Sequence, residues 1–206
     1  KKVVEAAIEL VDTPGLSRTH EGSGQRLGLI REAACLVLVV AAYDGSDPWK
    51  DAASFEEDVL LADLEIVTNR VNRLKESVKK PRPNREQEQA EIELLEPIVA
   101  ALEDGTPLRE IGLSAEQLKR TKAFQLITGK PRLVLVNTAD DEDNPQRFLD
   151  AAPAEHQAVA VPVGIELELE KGMPIGSGLG SSAASAVAAA FAVNLLVGSP
   201  LRKTEI

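Results

Sequence analysis

The stretch IELVDTPGLSRTHEGSG, from Ile8 to Gly24, decides the fold that the sequence predicts. Its first four residues are mostly apolar and indicate a strand, and the turn sequence D-T-P-G follows at once from Asp12. Open parallel α/β sheets bind their ligands at the carboxyl ends of the strands. We therefore expect the Asp12 carboxylate at a ligand-binding edge, although the same pattern also fits an ordinary strand that ends in a turn.

Strand-like and helix-like segments alternate along the rest of the chain. Strands are predicted over Val3–Val11, Cys35–Ala42, Leu133–Val136 and Ala158–Val161, and helices over Gln25–Ala33, from Glu56, from Arg85, and from Ala115 to about Thr128. Alternation of this kind predicts an α/β fold with a doubly wound parallel sheet. Cys35 is the only cysteine, so the chain has no internal disulfide, and its apolar neighbours predict a core thiol.

Residues 56–104 predict a helical hairpin. Apolar residues recur at steps of four and three on both sides of the sequence K-P-R-P-N at residues 80–84, which interrupts the helical pattern. Pro97 should kink or restart the second helix because its ring removes a backbone hydrogen bond. We interpret the segment as an antiparallel coiled-coil insertion. Two separate amphipathic surface helices are the alternative.

Composition limits the classes of partner. The 206 residues carry a net charge of −10, with a pI near 4.8. This argues against broad binding to nucleic-acid phosphates, so direct DNA binding is not expected, while a local basic face remains open. No signal peptide and no apolar run of the ~20 residues that a membrane helix needs are present, which favours a cytoplasmic protein without a membrane partner. The non-Met start at Lys1 and the end at Ile206 predict that both ends are cut.

Several motifs occur in the order found in one family of nucleotide-binding proteins. They are D-T-P-G at 12–15, E-G-S-G at 21–24, the helical hairpin, L-A-D-L-E at 61–65, K-P-R-L at 130–133 and N-T-A-D at 137–140. In this order and spacing, residues 1–168 resemble the Obg/YchF-type translation-factor GTPases, the Obg-like ATPases included. The resemblance implies an incomplete P-loop-NTPase-like sheet that carries the hairpin, with the ribosome as a partner of the hairpin.

The resemblance also implies roles for single residues. Asp12 would hold the Mg²⁺ that bridges the phosphates, and the Gly15 N–H would sense the γ-phosphate. Asn137 and Asp140 would read the purine base of GTP or ATP. The Asp140 carboxylate can accept hydrogen bonds from the N1–H and the amine of guanine, so this residue favours GTP. The YchF branch, in contrast, often has Glu at this position and favours ATP. Thr138 stands where most GTPases have Lys. The alternative is that Asn137 and Asp140 only cap a strand.

Hydrolysis is poorly supported by the sequence. Leu16 occupies the place of the Gln that orients the attacking water in Ras-type enzymes, and an aliphatic side chain cannot do this. His20 is the nearby candidate for a catalytic role, with a solvated surface residue as the alternative. No G-x-x-x-x-G-K-S/T sequence occurs in the chain. We therefore expect weak nucleotide binding and hardly any hydrolysis.

A second nucleotide motif lies near the end of the chain. The sequence MPIGSGLGSSAA at residues 173–184 combines a Gly/Ser loop with the start of an Ala-rich helix, an arrangement that can bind phosphate. Residues 165–206 resemble the GHMP kinases, homoserine kinase in particular. The resemblance implies an ATP phosphate loop formed by Gly176, Gly178, Leu179, Gly180, Ser181 and Ser182. The alternative is a glycine-rich turn before a buried helix.

These patterns lead to three functional hypotheses. The first is a GTPase-like domain over residues 1–168, fused to a kinase-like fragment over residues 169–206 through the extended sequence I-E-L-E-L-E. The second is an ATP-binding fragment of a homoserine kinase. The third is a non-enzymatic module that docks a partner through the hairpin. Both enzyme families would require more catalytic parts than this sequence contains, so an enzymatic activity stays open.

Overall fold

The computed structural model describes residues 10–13, 15–16, 23–154 and 156–163. Its helices are α1 (Ser23–Glu32), α2 (Pro48–Ser77), α3 (Arg85–Glu103), α4 (Ala115–Thr121) and α5 (Gln146–Asp150), and its strands are β1 (Leu36–Ala41), β2 (Arg132–Asn137) and β3 (Gln157–Val161). These elements give the α/β class that the sequence predicts. Among the described helices, none is both long enough and apolar enough to cross a membrane.

The chain forms two compact units. The sheet unit comprises Lys1–Gly15, Val37–Asp51 and Arg132–Ile206, and the helical unit comprises Leu16–Leu36 and Ala52–Pro131. The three strands therefore lie almost entirely in the sheet unit, and the long helices lie mostly in the helical unit. Each unit has its own apolar core.

Within the described residues, the sheet unit contains three strands in the order β1-β2-β3. β2 and β3 pair in parallel, with a register that runs from Leu133 opposite Gln157 to Asn137 opposite Val161. At the end of β1, the Ala42 N–H donates to the Asn137 carbonyl at 2.8 Å. β2 is the middle strand, and its residues 133–136 are 0–3% exposed. This agrees with the predicted buried strand, since neighbours cover it on both sides.

β1 differs from its prediction. The strand begins at Leu36, so Cys35 lies in the bend before it and is exposed. The prediction of a core thiol is therefore wrong. Val39 is 38% exposed and Val40 only 4%, so one face of the strand is more open than the continuous apolar run suggested. The face is more open because β1 lies at the edge of the described sheet.

The last two residues of the predicted first strand do not form a strand. Leu10 and Val11 lie outside any strand and are 40% and 63% exposed. No strand of the described part pairs with them, which agrees with the exposure of their apolar side chains. The remainder of that prediction, residues 3–9, lies outside the described residues.

α2 begins earlier than the sequence pattern suggests, at Pro48 instead of Glu56. The Asp47 carboxylate accepts the Trp49 N–H at 3.0 Å, as an N-cap side chain does. Pro48 then occupies the first helical position, where its missing N–H costs nothing. The first turns include the apolar residues Trp49, Ala52 and Phe55, so the prediction placed the start of the helix two turns too late.

Trp49 is fixed on the sheet unit by two contacts. Its indole Nε1–H donates to the Phe148 carbonyl at 3.0 Å. Its ring stacks on His156, with centroids 5.9 Å apart and planes inclined by 16°. The start of α2 is therefore held against the segment between β2 and β3.

In the helical unit, α2 and α3 run antiparallel. Ser77 Oγ bonds Glu88 at 3.0 Å near the turn, and Arg70 pairs with Glu91 farther along, through bonds of 2.8 and 3.0 Å. The shared core is aliphatic and consists of Val67, Val71, Leu74, Ile92, Leu95, Ile98, Leu102, Leu108 and Leu126. Pro97 neither ends nor restarts α3, which is assigned as one helix through that position.

α3 ends in a Schellman motif. Gly105, with φ of +80°, donates its N–H to the Leu102 carbonyl at 3.1 Å, and Thr106 donates to the Ala101 carbonyl at 2.9 Å. These are the two bonds that satisfy the last carbonyls of a helix when the residue after the cap is left-handed.

We expect the substitution Gly105→Ala to lower the free energy of unfolding by about 1 kcal/mol, because a Cβ disfavours this backbone conformation. No other atom lies within 4 Å of that Cβ, so the cost is conformational and not steric. The control is Gly112→Ala, which also meets nothing within 4 Å and has no positive φ. Calorimetry on both variants would measure their melting temperatures. Equal melting temperatures for Gly105→Ala and Gly112→Ala would contradict the prediction.

The predicted capping box at α4 is confirmed. Ser114 Oγ accepts the Gln117 N–H at 3.2 Å, and the Gln117 side chain accepts the Ser114 N–H at 2.9 Å. The helix ends at Thr121 and not near Thr128. The 3₁₀ turn Lys122–Phe124 follows the helix directly, and Gln125, with a left-handed φ of 48°, ends that turn.

Candidate functional site

The carboxyl ends of the strands define the candidate site. Because β2 and β3 are parallel and in register, Asn137 and Val161 end at the same edge of the sheet. The Thr138 N–H donates to the Val161 carbonyl at 3.0 Å and closes this edge. Open parallel sheets bind ligands in this position.

Asn137 is the most constrained of the predicted site residues. The residue is half-buried, and its Oδ1 accepts the Val163 N–H at 3.1 Å. A carboxamide has one oxygen and one NH₂ group, on opposite sides. The bond from Val163 therefore sets the orientation of the amide, and the NH₂ group keeps its two donors for another acceptor.

Thr138 is buried, with 2% of its surface exposed. Its hydroxyl oxygen has no hydrogen-bond partner in the described part of the chain. A buried hydroxyl cannot replace the Lys that most GTPases have at this position, since it carries no charge. Positive charge for an anionic ligand would have to come from other residues.

Asp140 lies in the turn after β2 and is exposed. Within the described residues, its carboxylate makes no hydrogen bond or ion pair, whereas the neighbouring Glu142 binds Arg147. Both carboxylate oxygens of Asp140 are thus available as acceptors. This is the chemistry that the sequence predicts for reading a guanine edge.

Asp44 and Ser46 were not singled out by the sequence reading. They follow β1 at the same edge, where Ser46 Oγ donates to the Ala41 carbonyl at 2.9 Å. The Ser46 N–H donates to Asp44 Oδ1 at 3.0 Å, and hydrogen bonds from Ser46 lower the pKa of Asp44 below its usual value. The signal was present, because this acid follows an apolar strand just as Asp12 follows its apolar segment.

Asp12 and Gly15 are exposed. No hydrogen bond or ion pair joins Asp12 to Asn137 or Asp140 across the described part of the sheet unit. In those residues, no three His, Cys, Asp or Glu side chains cluster as a metal would require. A single free carboxylate suits only a Mg²⁺ ion whose other ligands are phosphate oxygens and water, the usual state of nucleotide-bound Mg²⁺. Asp12 would then hold the ion and orient the phosphates.

The remaining predicted site residues lie outside the described residues. They are His20 and the loop residues Gly176, Gly178, Leu179, Gly180, Ser181 and Ser182. Their roles stay predictions.

The helical unit contains a buried polar network that the sequence reading missed. Asp63 is 0% exposed, and its carboxylate accepts Arg31 Nη1 at 2.7 Å and the N–H and Oγ1 of Thr128 at 2.8 and 2.9 Å. Lys130 Nζ donates to the carbonyls of Arg31 and Ala33 at 2.9 and 2.5 Å. Burial lowers the pKa of Lys130, and the Asp63 charge opposes that shift. The network ties the end of α1 to α2 and to the segment before β2.

Comparison with known proteins shows which proteins the chain is similar to. The chain is 28% identical over 188 residues to the ribosome-binding ATPase YchF of Haemophilus influenzae, covering 82% of this chain and 50% of that protein. It is 33% identical over 155 residues to Obg-like ATPase 1 of Oryza sativa, covering 69% of this chain and 39% of the relative. The chain thus spans half or less of the length of these relatives.

Two further comparisons concern the fold and the C-terminal part. The solved structure of the Schizosaccharomyces pombe YchF GTPase superposes with a TM-score of 0.64 at 20% identity, over 79% of this chain and 48% of that one. This likeness supports the fold. The family of the GHMP kinases N terminal domain matches residues 146–206. Both resemblances seen in the sequence are confirmed: the chain is similar to the YchF and Obg-like ATPases over most of its length, and its last part matches the GHMP kinases.

Proposed function

We propose that this chain is a purine-nucleotide-binding domain of the YchF/Obg-like type, which takes GTP or ATP with Mg²⁺. Asn137 donates its amide NH₂ to the imidazole-side nitrogen of the purine, and Asp140 accepts from the opposite edge of a guanine. Asp12 holds Mg²⁺, and Gly15 contacts the γ-phosphate. The proposal places the protein in the cytoplasm, which agrees with a chain whose single cysteine cannot form an internal disulfide.

One observation carries the proposal most directly. The bond from the Val163 N–H to Asn137 Oδ1 presents the Asn137 NH₂ group as a donor at the carboxyl edge of a parallel sheet. The same bond also closes the end of the strand, so the proposal depends on the NH₂ group that the bond leaves available. Preorganised donors cost little to order when the ligand binds.

The affinity of this chain for nucleotide should nevertheless be low. Its 206 residues contain no G-x-x-x-x-G-K-S/T loop to cradle the phosphates. Nucleotide binding would then depend mainly on recognition of the base and on the one carboxylate that holds Mg²⁺. Hydrolysis should be hardly measurable. We propose the GTPase-like fragment over residues 1–168, with the helical hairpin as a coiled-coil insertion.

The experiment is a calorimetric titration of the chain with GTP and with ATP in the presence of Mg²⁺. The variant Asp140→Ala should weaken GTP binding by about tenfold or more, because a hydrogen bond to a charged group contributes about 1.5–3 kcal/mol. ATP binding should change far less, since adenine offers no N1–H. Asp143→Ala, an exposed acid of the same turn, is the matched control. Equal losses for GTP and ATP, or none, would refute the assignment of Asp140.

A second candidate rests on the family match over residues 146–206. In that alternative the ATP phosphates bind at Gly176–Ser182, and the chain is an ATP-binding fragment of a small-molecule kinase such as homoserine kinase. Ser181→Ala would then abolish ATP binding, while Asp140→Ala would leave it intact. The two candidates therefore predict opposite results from the same two variants.

A further inference from the structure

One face of the described sheet carries an apolar cluster. Its members are Leu133 and Leu135 of β2, Val37 of β1, Val159 and Val161 of β3, and the following Val163. Within β2 and β3 these residues are spaced by two, so their side chains point to the same side of the sheet. We call this side the cluster face. Val39, two positions after Val37, is 38% exposed, so the face is more open toward β1.

The centre of the cluster face is covered. Leu135 is 0% exposed, and Leu133 and Val163 are 3% and 5% exposed. Neighbouring strands lie about 4.8 Å to the side of such a residue and not above it, so burial this complete requires atoms stacked on the face. Among the described residues, every apolar member of the cluster belongs to a strand or follows β3, and no helix contributes one. The apolar cover therefore has to come from residues outside the described ranges.

The sequence outside those ranges offers one suitable segment. Residues 183–197, AASAVAAAFAVNLLV, contain no charged side chain. At a rise of about 1.5 Å per residue, a helix of this length spans about 22 Å, close to the length of a six-residue strand. Residues 1–9 and 17–22 are shorter and carry several charged side chains. Residues 183–197 are thus the segment that matches the cluster face in length and polarity.

A helix over residues 183–197 would have one side richer in large apolar side chains. Val187, Phe191 and Leu195 recur at steps of four and share that side, whereas Ser185 and Ala189 lie on the opposite side. The family match over residues 146–206 spans β3 and this segment together, so one type of domain joins them.

We propose that residues 183–197 form a helix that packs on the cluster face, with Val187, Phe191 and Leu195 against the strands. Residues 164–182 provide the connection from the end of β3 back over the sheet. Parallel sheets are covered on both faces, and this helix supplies the layer on the face that the described helices leave to other residues. The last part of the chain then belongs to the core of the sheet unit and is not a separate appendage. This inference does not rest on the proposed function.

The first test is urea unfolding followed by the fluorescence of Trp49, the only tryptophan, whose ring is held within the sheet unit. Phe191→Glu should lower the folding equilibrium constant of that unit at least about a hundredfold, because it places an unpaired charge in an apolar layer. Ala189→Glu introduces the same side chain on the opposite side and should leave the urea midpoint nearly unchanged. A midpoint for Phe191→Glu equal to that of the parent chain would overturn the proposal.

The second test locates the segment directly and does not depend on a destabilised variant. A nitroxide spin label is attached to Ala189→Cys in a chain that also carries Cys35→Ser, since Cys35 is the only native cysteine. The label should broaden the methyl NMR signals of Val159 and Val161 on the cluster face. The signal of Leu95, in the core of the helical unit, should stay sharp.

The same spectra decide between other occupants of the face. Broadening of Leu95 instead of Val159 and Val161, or of none of them, would overturn the proposal. Spin-labelled chains mixed with isotope-labelled chains test for a second copy, and broadening as strong in that mixture as within one chain would assign the cover to a neighbouring molecule instead. Asp140→Ala should leave the spectra and the urea midpoint unchanged, so a failure of the nucleotide proposal remains separate from a failure of this one.

Discussion

The substitution Asp63→Ala is expected to lower the free energy of unfolding by about 3–5 kcal/mol, the usual cost of removing one partner of a buried ion pair. The Asp63 side chain is 0% exposed and that of Arg31 is 13% exposed, so Arg31 would be left as a nearly buried charge. The N–H of Thr128 would also lose its acceptor. Urea midpoints measured by pulse proteolysis would report the loss.

A double-mutant cycle separates the pair from its surroundings. Arg31→Met and Asp63→Leu each strand one charge, whereas the double variant replaces both charges by apolar groups of similar size. We expect the double variant to be more stable than the sum of the single effects implies, by about 2 kcal/mol or more. Additive effects would mean that Arg31 and Asp63 do not act as a pair.

The second large effect is expected at the core between α2 and α3. Leu95 is 0% exposed and belongs to the aliphatic cluster of the helical unit. Leu95→Ala should cost about 2–5 kcal/mol, because it removes buried methyl groups and leaves a cavity in packing that can relax only in part. The same proteolysis assay measures the shift of the urea midpoint.

The control is Leu61→Ala on the outer face of α2, where the side chain is 56% exposed. Its effect should stay within about 0.5 kcal/mol, as for most surface substitutions. Should Leu61→Ala destabilise the unit as much as Leu95→Ala, the assignment of the two faces would be wrong. Retention of full stability by Leu95→Ala would argue against the core itself.

Local sequence rules predicted the local structure. The capping box at Ser114 and Gln117 depends on residues three positions apart, so the sequence alone suffices to identify it. The buried strand around Val134 and Leu135 was equally readable, because a middle strand is apolar on both faces. Cys35 was misjudged by the same rule, since the strand starts one residue later and lies at the outside of the described sheet.

Features built from distant residues could not be predicted. Asp63 binds Arg31 across 32 positions and Thr128 across 65, and only the folded chain brings these partners together. A groove of the helical unit likewise joins Arg70 and Arg73 of α2 to Lys119 and Arg120 of α4. For the candidate site, the sequence identified Asn137 and Asp140 by motif, but the bond that orients Asn137 comes from Val163, which carries no motif.

Trp49 has a practical consequence for all of these measurements. It is the only tryptophan of the 206 residues, and it belongs to the sheet unit, where Phe148 and His156 hold its ring. Indole fluorescence will therefore report the opening of that unit alone, while far-ultraviolet circular dichroism is dominated by the long helices. If the two optical signals change at different denaturant concentrations, the units unfold as separate cooperative blocks.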